Sequence, residues 1–304
     1  MIMPRNTPPW IRQHVVALRA LLVFTVVLGI GYPLAITAIA QIPGLQSRAD
    51  GSMVKGPNGQ VVGSKLIGQS FTDAQGNPLL RYFQSRPSAA TGNVATGYDP
   101  TYTSASNLGP ENVVDTLDDP ATKNVDESSA SLLTQVCTRS LDLGKTYGVD
   151  GSRPYCTATG GGAVLAVFYA GPGYHGAVTR VVSVNQECPA KPFIATYQGV
   201  QVECHVYGQD LSKGKTVVIR GNAPADPAVP SDAVTASGSG LDPDISPAYA
   251  RLQVGVVAAA RHLPEAQVLA LVNSHVTGRG LGFLGEPYVN VLMLNIALDK
   301  LTGS

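Results

Sequence analysis

The sequence predicts an α+β protein, in which one N-terminal transmembrane helix precedes an extracytoplasmic α+β domain that carries a β-rich insertion. Three observations predict this fold class. Residues 20–40 contain no charged side chain, four cysteines lie between positions 137 and 204, and β-branched segments give way to helical periodicity near the C-terminus. The 304 residues are enough for one or two domains with a core.

The uncharged stretch predicts a transmembrane helix over residues 20–41, after a cytoplasmic N-terminus of residues 1–19. About 20 apolar residues cross a bilayer as a helix, which tolerates Pro33 where neighbouring helices cover the freed carbonyl. A cleaved signal peptide is the alternative, because Ala38-Ile39-Ala40 resembles a cleavage site. The apolar run exceeds a usual signal core, so a retained anchor is preferred. No cysteine follows the run, which excludes a bacterial lipid anchor.

Charge predicts the orientation of this helix in the membrane. Arg5, Arg12 and Arg19 precede the apolar run, whereas Arg48 and Lys55 follow it. Cytoplasmic flanks carry the excess of basic residues, so the N-terminus is expected inside and the chain after about Gln41 outside. The chain is therefore expected to cross the membrane once, with most of its mass outside.

Small residues recur every four positions along the predicted helix, at Thr25, Gly29, Pro33 and Thr37. Small side chains at this spacing let a second helix approach closely, so the four residues are candidates for a helix-packing face. The alternative is that they reflect only the general abundance of small residues in membrane helices.

The cysteines Cys137, Cys156, Cys188 and Cys204 predict two disulfides, since an extracytoplasmic compartment is oxidising. Four free thiols or a zinc site are the alternatives, but zinc ligands usually come in closely spaced pairs. Of the three possible pairings we prefer the sequential one, Cys137–Cys156 and Cys188–Cys204. Each of these loops would contribute about 3 kcal/mol of stability in the chain-entropy model.

The exterior is predicted as three consecutive parts: residues 42–114, an inserted β-rich unit over 115–222 and a helical part over 223–304. In the first part, alternation around Gly56-Pro57-Asn58-Gly59 predicts a hairpin within Met53–Phe71, and Leu79–Phe83 predicts a further strand. Within the insertion, five short segments predict strands: Ala163–Ala170, Val178–Val184, Phe193–Tyr197, Val200–Tyr207 and Thr216–Ile219.

Three helices are predicted near the C-terminus. Ser246-Pro247 is a capping hydroxyl followed by proline at the first helical position, with Tyr249, Leu252, Val256 and Val257 on the apolar face. A second helix is predicted over Pro264–His275, with Val268, Leu269 and Val272 facing inward and Gly278 past its end. A third follows Glu286-Pro287, with Val291, Leu294 and Leu298 at helical spacing.

No catalytic constellation, metal site or cofactor site emerges from the residues. Net charge is zero and charged residues make up 14%, so nucleic acid is excluded as the expected partner. Gly280, Gly282 and Gly285 match a dinucleotide motif by letter only, without a βαβ unit, and are interpreted as turn glycines. Asp242-Pro243-Asp244 is interpreted as a loop with a helix cap rather than a cation site. These observations favour an accessory or binding role over an enzyme.

Several longer motifs resemble the C subunit of the bacterial Kdp-type potassium-transporting P-type ATPase, over about residues 15–112 and 229–301. They include Gly63–Gln69 with Phe71, Tyr82–Ser88, Ser104–Pro110, Val234–Pro243, and Gly278–Pro287 with Val289–Val291. The motif positions singled out as candidates are Gly68, Gln69, Ser85, Arg86, Pro87, Ser106, Asn107, Leu108, Gly109, Pro110, Ser237, Gly238, Ser239, Gly240, Asp242, Pro243, Gly285, Glu286, Pro287 and Asn290.

The resemblance implies a non-catalytic subunit of a high-affinity potassium uptake complex that uses ATP and potassium. Its implied partners are a channel-like potassium-binding subunit and a P-type ATPase subunit, which it assembles and activates as a catalytic chaperone that raises ATP affinity. The predicted topology leaves about 19 residues beside cytoplasmic ATP, so we expect this effect to travel through helix packing. A stand-alone anchored envelope binding protein is the alternative.

The sequence departs from this family between its third and fourth motifs. Typical members have a far shorter link there, whereas this chain has about 100 residues that carry all four cysteines. We interpret this segment as an inserted, disulfide-stapled unit that shields the external ion entrance or binds the cell envelope.

Overall fold

The computed structural model describes residues 8–56, 58–103, 108–122 and 126–302, and it confirms the α+β class. Contacts group the chain into two units, Met1–Leu66 and Ile67–Ser304. The first unit contains the apolar helix and a hairpin. The second contains the larger sheet and the helical core.

The first unit begins with helix α1 (Pro9–Val26), which continues through a π-helical turn (Val27–Gly31) into α2 (Tyr32–Ala40). Together they form a 32-residue helix with a mean hydropathy of 2.2 in its most apolar window, none of which is buried within the protein. The helix itself begins at Pro9, well before the transmembrane segment predicted from residue 20. Proline is common at the first position of a helix, which is compatible with this start. A helix this apolar and this exposed has the length and composition to cross a membrane.

A hairpin follows the short helix α3 (Gln46–Ala49). Strand β1 (Met53–Lys55) pairs antiparallel with β2 (Val61–Ser64), with Met53 opposite Ser64, which confirms the predicted hairpin. Pro57 of its turn lies outside the described residues.

The predicted strand at Leu79–Phe83 is wrong. Tyr82 N donates to Leu79 O at 2.9 Å, so the chain turns there instead of extending. The fully buried Phe83 has its backbone groups bonded to the side-chain amide of Asn295, so it needs no neighbouring strand.

Helix α4 (Leu132–Tyr147) lies within the segment predicted as a β-rich unit, ahead of the five predicted strands, and no helix was predicted there. The Ser131 hydroxyl accepts from Thr134 N at 3.2 Å, and Gly148 closes the helix with a φ of +68°. These are the usual start and stop signals of a helix. Gly144 lies where a side chain would meet the backbone of Gly151.

A five-stranded sheet follows, with the order β5-β6-β4-β3-β7. All its pairings are antiparallel except that of β4 with β6. The strands correspond to the five predicted segments: β3 (Val164–Gly171), β4 (His175–Glu187), β5 (Thr196–Tyr197), β6 (Val200–His205) and β7 (Lys215–Val218). Both faces of the sheet are covered, one with the help of Leu133 from α4 and the other by Phe193 and Ile194.

Two disulfides cross this part of the chain. Cys137 on α4 bonds Cys156, with 5.4 Å between their Cα atoms, and Cys188 bonds Cys204 on β6, with 5.2 Å. This pairing is the sequential one. The first bridge ties a helix, not a strand, to the loop before β3.

The C-terminal part contains α5 (Ser231–Val234), β8 (Asp244–Ile245), α6 (Pro247–Arg261), α7 (Glu265–Ser274), β9 (Val276–Thr277), β10 (Tyr288–Asn290) and α8 (Val291–Thr302). The three predicted helices are confirmed, and the Ser246 hydroxyl caps α6 by accepting from Tyr249 N at 3.0 Å. The inward assignment of Leu269 is wrong: its side chain is 38% exposed, because Val268 and Val272 already fill the buried face of α7.

The main core lies among α6, α7, α8 and the small sheet β8-β10-β9. Its buried residues include Phe83, Tyr249, Val257, Val289 and Leu294, and partly buried side chains of α4 pack against them. The middle segment therefore contributes to the same core as the two flanking parts.

Candidate functional site

Two of the family motifs, Tyr82–Ser88 and Val234–Pro243, meet in the second unit through Arg86. Its guanidinium lies 3.0 Å from the Asp242 carboxylate and also donates to the carbonyls of Thr235 at 3.2 Å and Ala236 at 3.3 Å. Arg86 thus holds both ends of the loop that contains Ser237, Gly238, Ser239 and Gly240. A planar guanidinium is suited to such a role because its donors are fixed in one plane.

Ser88 forms a second link between the same motifs. Its hydroxyl donates to Gly240 O at 2.6 Å and accepts from Tyr98 N at 2.9 Å and Ala90 N at 3.1 Å. Gly240 has a φ of +70°, which a side chain would strain. This hydroxyl therefore fixes the loop's end against the chain segment around residue 90.

Gly68 and Gln69, from the motif Gly63–Gln69, also contact this group of residues around Arg86, which we call the Arg86 cluster. Gly68 N donates to Leu241 O at 2.8 Å, and a Cβ on Gly68 would lie 2.7 Å from Asp242 O and even closer to the Tyr98 ring. The Ser85 hydroxyl donates to Gln69 O at 2.8 Å. Glycine is required at 68 because backbone and ring fill the space that a side chain would need.

Tyr98 lies beneath this cluster. Its hydroxyl donates to Arg86 O at 2.7 Å, and burial raises the pKa of the phenol to about 12. It stays neutral over the physiological range, so its role in the cluster is to position Arg86 and not to exchange protons.

The last motif joins the cluster through the small sheet. Asn290 Nδ2 donates to Asp244 Oδ1 at 3.0 Å, while Asn290 Oδ1 accepts from Met293 N at the start of α8 at 3.1 Å. Val291 N donates to Pro243 O at 3.0 Å. Burial raises the pKa of the Asp244 carboxyl above its ordinary value. Asp242-Pro243-Asp244 therefore acts as a joint between α8 and the Arg86 cluster.

Two groups of candidates lie apart from this joint. Gly285, Glu286 and Pro287 belong to an exposed loop between β9 and β10, where Arg279 and Glu286 form an ion pair at 2.6 Å. Large apolar side chains at its tip are unburied, with exposures of 84% for Leu281 and 69% for Phe283.

The third motif is only partly described. Leu108 lines a cavity beside α4, and Gly109 O accepts from Asn112 N at 3.0 Å in the turn that includes Pro110. Ser106 and Asn107 lie outside the described residues.

The four small residues of the apolar helix are all exposed. Residues four apart rotate by about 40° on an α-helix, so Thr25 and Thr37 would be about 120° apart. The π-helical turn at Val27–Gly31, in which Tyr32 N donates to Val27 O, absorbs about one residue and reduces this spread to about 20°. The turn therefore aligns Thr25, Gly29, Pro33 and Thr37 along one face.

A cavity of about 470 Å³ lies between the motif cluster and α4. Arg86, Ser85 and Tyr98 line it from the cluster, and Arg139 and Tyr147 line it from α4. Burial raises the pKa of Tyr147 to about 12. The two α4 residues were not among the predicted candidates, because no helix was predicted in the β-rich segment, although Ser131 and Gly148 are recognisable helix caps.

The described residues hold no group of three His, Cys, Asp or Glu side chains placed to bind a metal ion. The arrangement is therefore one of rigid polar joints, an exposed apolar loop and an aligned helix face. Chemically, it is suited to contact with other chains.

Comparison with known proteins identifies relatives over almost the whole chain. Residues 14–137 and 194–300 match the family model of KdpC, described as K+-transporting ATPase, c chain. The match extends beyond the motif-bearing residues and omits 138–193, which hold most of α4 and strands β3 and β4.

Among the curated relatives that match, three examples carry the name potassium-transporting ATPase KdpC subunit. That of Kineococcus radiotolerans is 37% identical, and the match covers 95% of this chain and 93% of the relative. That of Mycobacterium tuberculosis is 35% identical, with 95% and 99% covered. That of Streptomyces coelicolor is 36% identical, with 95% and 93% covered.

Proposed function

The chain belongs to the KdpC family, the c chain of the K+-transporting ATPase, and on this premise we propose that it is a non-catalytic subunit that assembles the potassium pump and activates its ATPase subunit. The observation that carries the proposal is the family match over both flanking parts of the chain. The motif residues support it, since several of them form hydrogen-bonded joints within the chain and others lie in an exposed loop that is available for contact.

The partners in this proposal are a channel-like potassium-binding subunit and a P-type ATPase subunit. The test is purification of the tagged full chain from membranes in mild detergent, followed by identification of the proteins that accompany it. Both partners are expected in fixed proportion to the chain. Purification of the chain alone under conditions that preserve other membrane complexes would favour a stand-alone envelope protein.

The proposed orientation places the N-terminus in the cytoplasm and the second unit outside. Arg12 and Arg19 near the start of the apolar helix support it, as do the two disulfides, which need an oxidising compartment. A protease added to spheroplasts should remove a C-terminal tag and leave an N-terminal tag intact. The reverse pattern would overturn the orientation.

We propose that the chain changes ATP use through its membrane helix, because the proposed orientation places the second unit on the opposite side of the membrane from cytoplasmic ATP. The aligned face at Thr25, Gly29, Pro33 and Thr37 is the proposed contact with a partner helix, where small residues permit close approach. A complex with a disturbed face should need more ATP for half-maximal hydrolysis. Unchanged ATP dependence in such a complex would contradict this route.

The segment 115–222 is proposed to act at the external ion entrance of the complex. Complete deletion would also remove α4 from the main core, so the sheet alone should be tested. Tyr155 N donates to Arg220 O at 2.9 Å, and a short Gly-Ser linker between these residues can therefore replace 156–219, with Cys137→Ala to avoid a free thiol. We expect assembly to persist and potassium uptake to change. Unaltered uptake would exclude a role in transport.

A further inference from the structure

A second cavity, of about 500 Å³, lies between α4 and the loop that follows α5. Gln135 and Arg139 line it from the helix, Thr235 and Ser237 line it from the loop, and Thr91 also contributes. Arg139 is the one charged residue among its lining residues. The cavity therefore combines a residue of the middle segment with a family-motif residue, and it carries net positive charge.

Arg139 is a half-buried cation without a counter-charge. It donates to Val234 O at 3.1 Å and to Gln135 Oε1 at 3.2 Å. No carboxylate forms an ion pair with it in the described part of the chain. Burial lowers the pKa of this guanidinium. A guanidinium has five N–H donors, so several remain for an additional acceptor.

Ser237 supplies the second, independent observation. Its Oγ is the one buried side-chain polar atom without a hydrogen-bond partner among the residues that the structure describes. Buried hydroxyls normally have a partner, and an orphan calls for an explanation. Rotation about χ1 is the movement that would give this hydroxyl a new acceptor, and the residue already lines the cavity.

We propose that this cavity is a binding site for a small oxyanion, held by the free N–H groups of Arg139 and by the Ser237 hydroxyl. The anion balances the charge of Arg139 and accepts a hydrogen bond from the Ser237 hydroxyl, so one ligand satisfies both groups. Oxyanions accept such bonds in a charge-assisted form, which is stronger than a neutral bond. Phosphate and carboxylate share this chemistry, and the experiment separates them.

The test is calorimetric titration of the full chain in detergent with inorganic phosphate and, separately, with acetate, at constant ionic strength. Saturable binding of either anion is expected, and the preferred anion tells whether the ligand is tetrahedral or planar. Arg139→Gln should abolish saturable binding. Arg220→Gln removes an equal charge from an exposed arginine whose side chain donates to the Gly221 carbonyl, and it should bind as the parent does. Absence of saturable binding of both anions, or equal binding by Arg139→Gln, would overturn the proposal.

Ser237→Ala is a second test of the site, which remains informative if substitution of Arg139 disturbs folding. This variant should bind the preferred anion about tenfold more weakly, the effect of one charge-assisted hydrogen bond. Without the anion it should melt at the same temperature as the parent or higher, because it removes an unsatisfied group. A lower melting temperature in the absence of anion would show that the hydroxyl has a structural partner, and the proposal would fail.

Discussion

Two side-chain amides take the place of a β-strand beside Phe83 and Gln84. Asn295 accepts from Phe83 N and donates to Phe83 O, both at 2.9 Å, and Gln253 accepts from Gln84 N at 2.6 Å and donates to Gln84 O at 3.1 Å. The amides come from α8 and α6, so they attach an irregular segment to two helices. Both amide side chains lie in the core, where an unpaired backbone group would be costly.

Asn295→Leu should destabilise the protein by about 2–5 kcal/mol, since it leaves the buried N–H and C=O of Phe83 unpaired. Urea unfolding of the full chain in detergent, followed by far-UV circular dichroism, measures the effect. Asn273→Leu is the matched control, because Asn273 is exposed and its Oδ1 accepts from the Arg251 side chain, not from buried backbone. A loss in Asn295→Leu no larger than that in the control would contradict this role.

Three tyrosines make the second unit sensitive to alkali. Burial raises the pKa of Tyr98 and of Tyr147 to about 12, and it raises that of Tyr249 well above its ordinary value. In the unfolded chain each phenol ionises near the ordinary value of 10.0. Below pH 10 the contribution to stability is complete, and it is lost as the pH rises from 10 to about 12.

Tyr147→Phe should reduce this alkaline loss. At pH 11 the loss attributable to Tyr147 is about 1 kcal/mol, so the variant should lose that much less between pH 9 and pH 11 than the parent does. The free energy of unfolding in urea at the two pH values is the measurement. Tyr174→Phe, at an exposed tyrosine, should keep the parent's profile. Identical profiles for Tyr147→Phe and the parent would refute the assignment.

At the scale of the element, the apolar helix is not a uniform α-helix. Pro33 has no N–H to donate to the carbonyl four residues earlier, and the wider π-helical turn directly precedes it. Such turns often occur at functional sites of helices. Here the turn converts a four-residue spacing, which would otherwise spiral around the helix, into a straight face.

Gly29→Leu should weaken assembly of the complex several-fold, because it places a large side chain in the centre of this face. Gly31→Leu is the matched control, since Gly31 lies about half a turn away on the same helix. Neither substitution is blocked within the chain: the nearest atom to a new Cβ is 3.8 Å away for Gly29 and 3.6 Å away for Gly31. Both variants therefore bear a similar cost within the helix itself.

The measurement is the yield of partner subunits that co-purify with each variant from membranes. Gly29→Leu should retain markedly less than Gly31→Leu, and the ATP concentration for half-maximal hydrolysis should rise in the remaining complex. Equal retention by the two variants would place the contact on another face.

At the scale of the whole molecule, the second unit depends on its two bridges. Cys137–Cys156 spans 19 residues and attaches α4, whereas Cys188–Cys204 spans 16 residues and joins the end of β4 to the parallel strand β6. Because α4 also packs against the main core, the first bridge connects that core to the segment that leads into the sheet.

Replacing either cysteine pair with alanine should lower the free energy of unfolding by about 3 kcal/mol, as the chain-entropy model gives for loops of this length. Thermal unfolding of each double variant beside the parent measures this loss of stability. Because each double variant keeps one disulfide, a reductant should lower its melting temperature only through that remaining bridge. An unchanged melting temperature after removal of a pair would contradict the predicted contribution of that disulfide.

The sequence by itself was sufficient for most elements whose signal is local, although the capped helix α4 was missed. Patterns among residues close in sequence predicted the apolar helix, the hairpin at Met53, the five strands and the Ser246-capped helix, because caps, turns and periodicity act over a few residues. Motif resemblance similarly led to the KdpC family. The same local reasoning failed at Leu79–Phe83, where the backbone of Phe83 is bonded to Asn295, 212 residues away in sequence.

Only the tertiary structure decided how these elements combine. It joined Arg86 to Asp242, placed α4 on the main core, and brought Arg139 and Ser237 to one cavity. It also aligned the helix stripe, through a turn that the spacing does not reveal. The physical reason is the same in each case. A hydrogen bond or a packed side chain depends on distance in space, and residues far apart in sequence become neighbours only when the core closes around them.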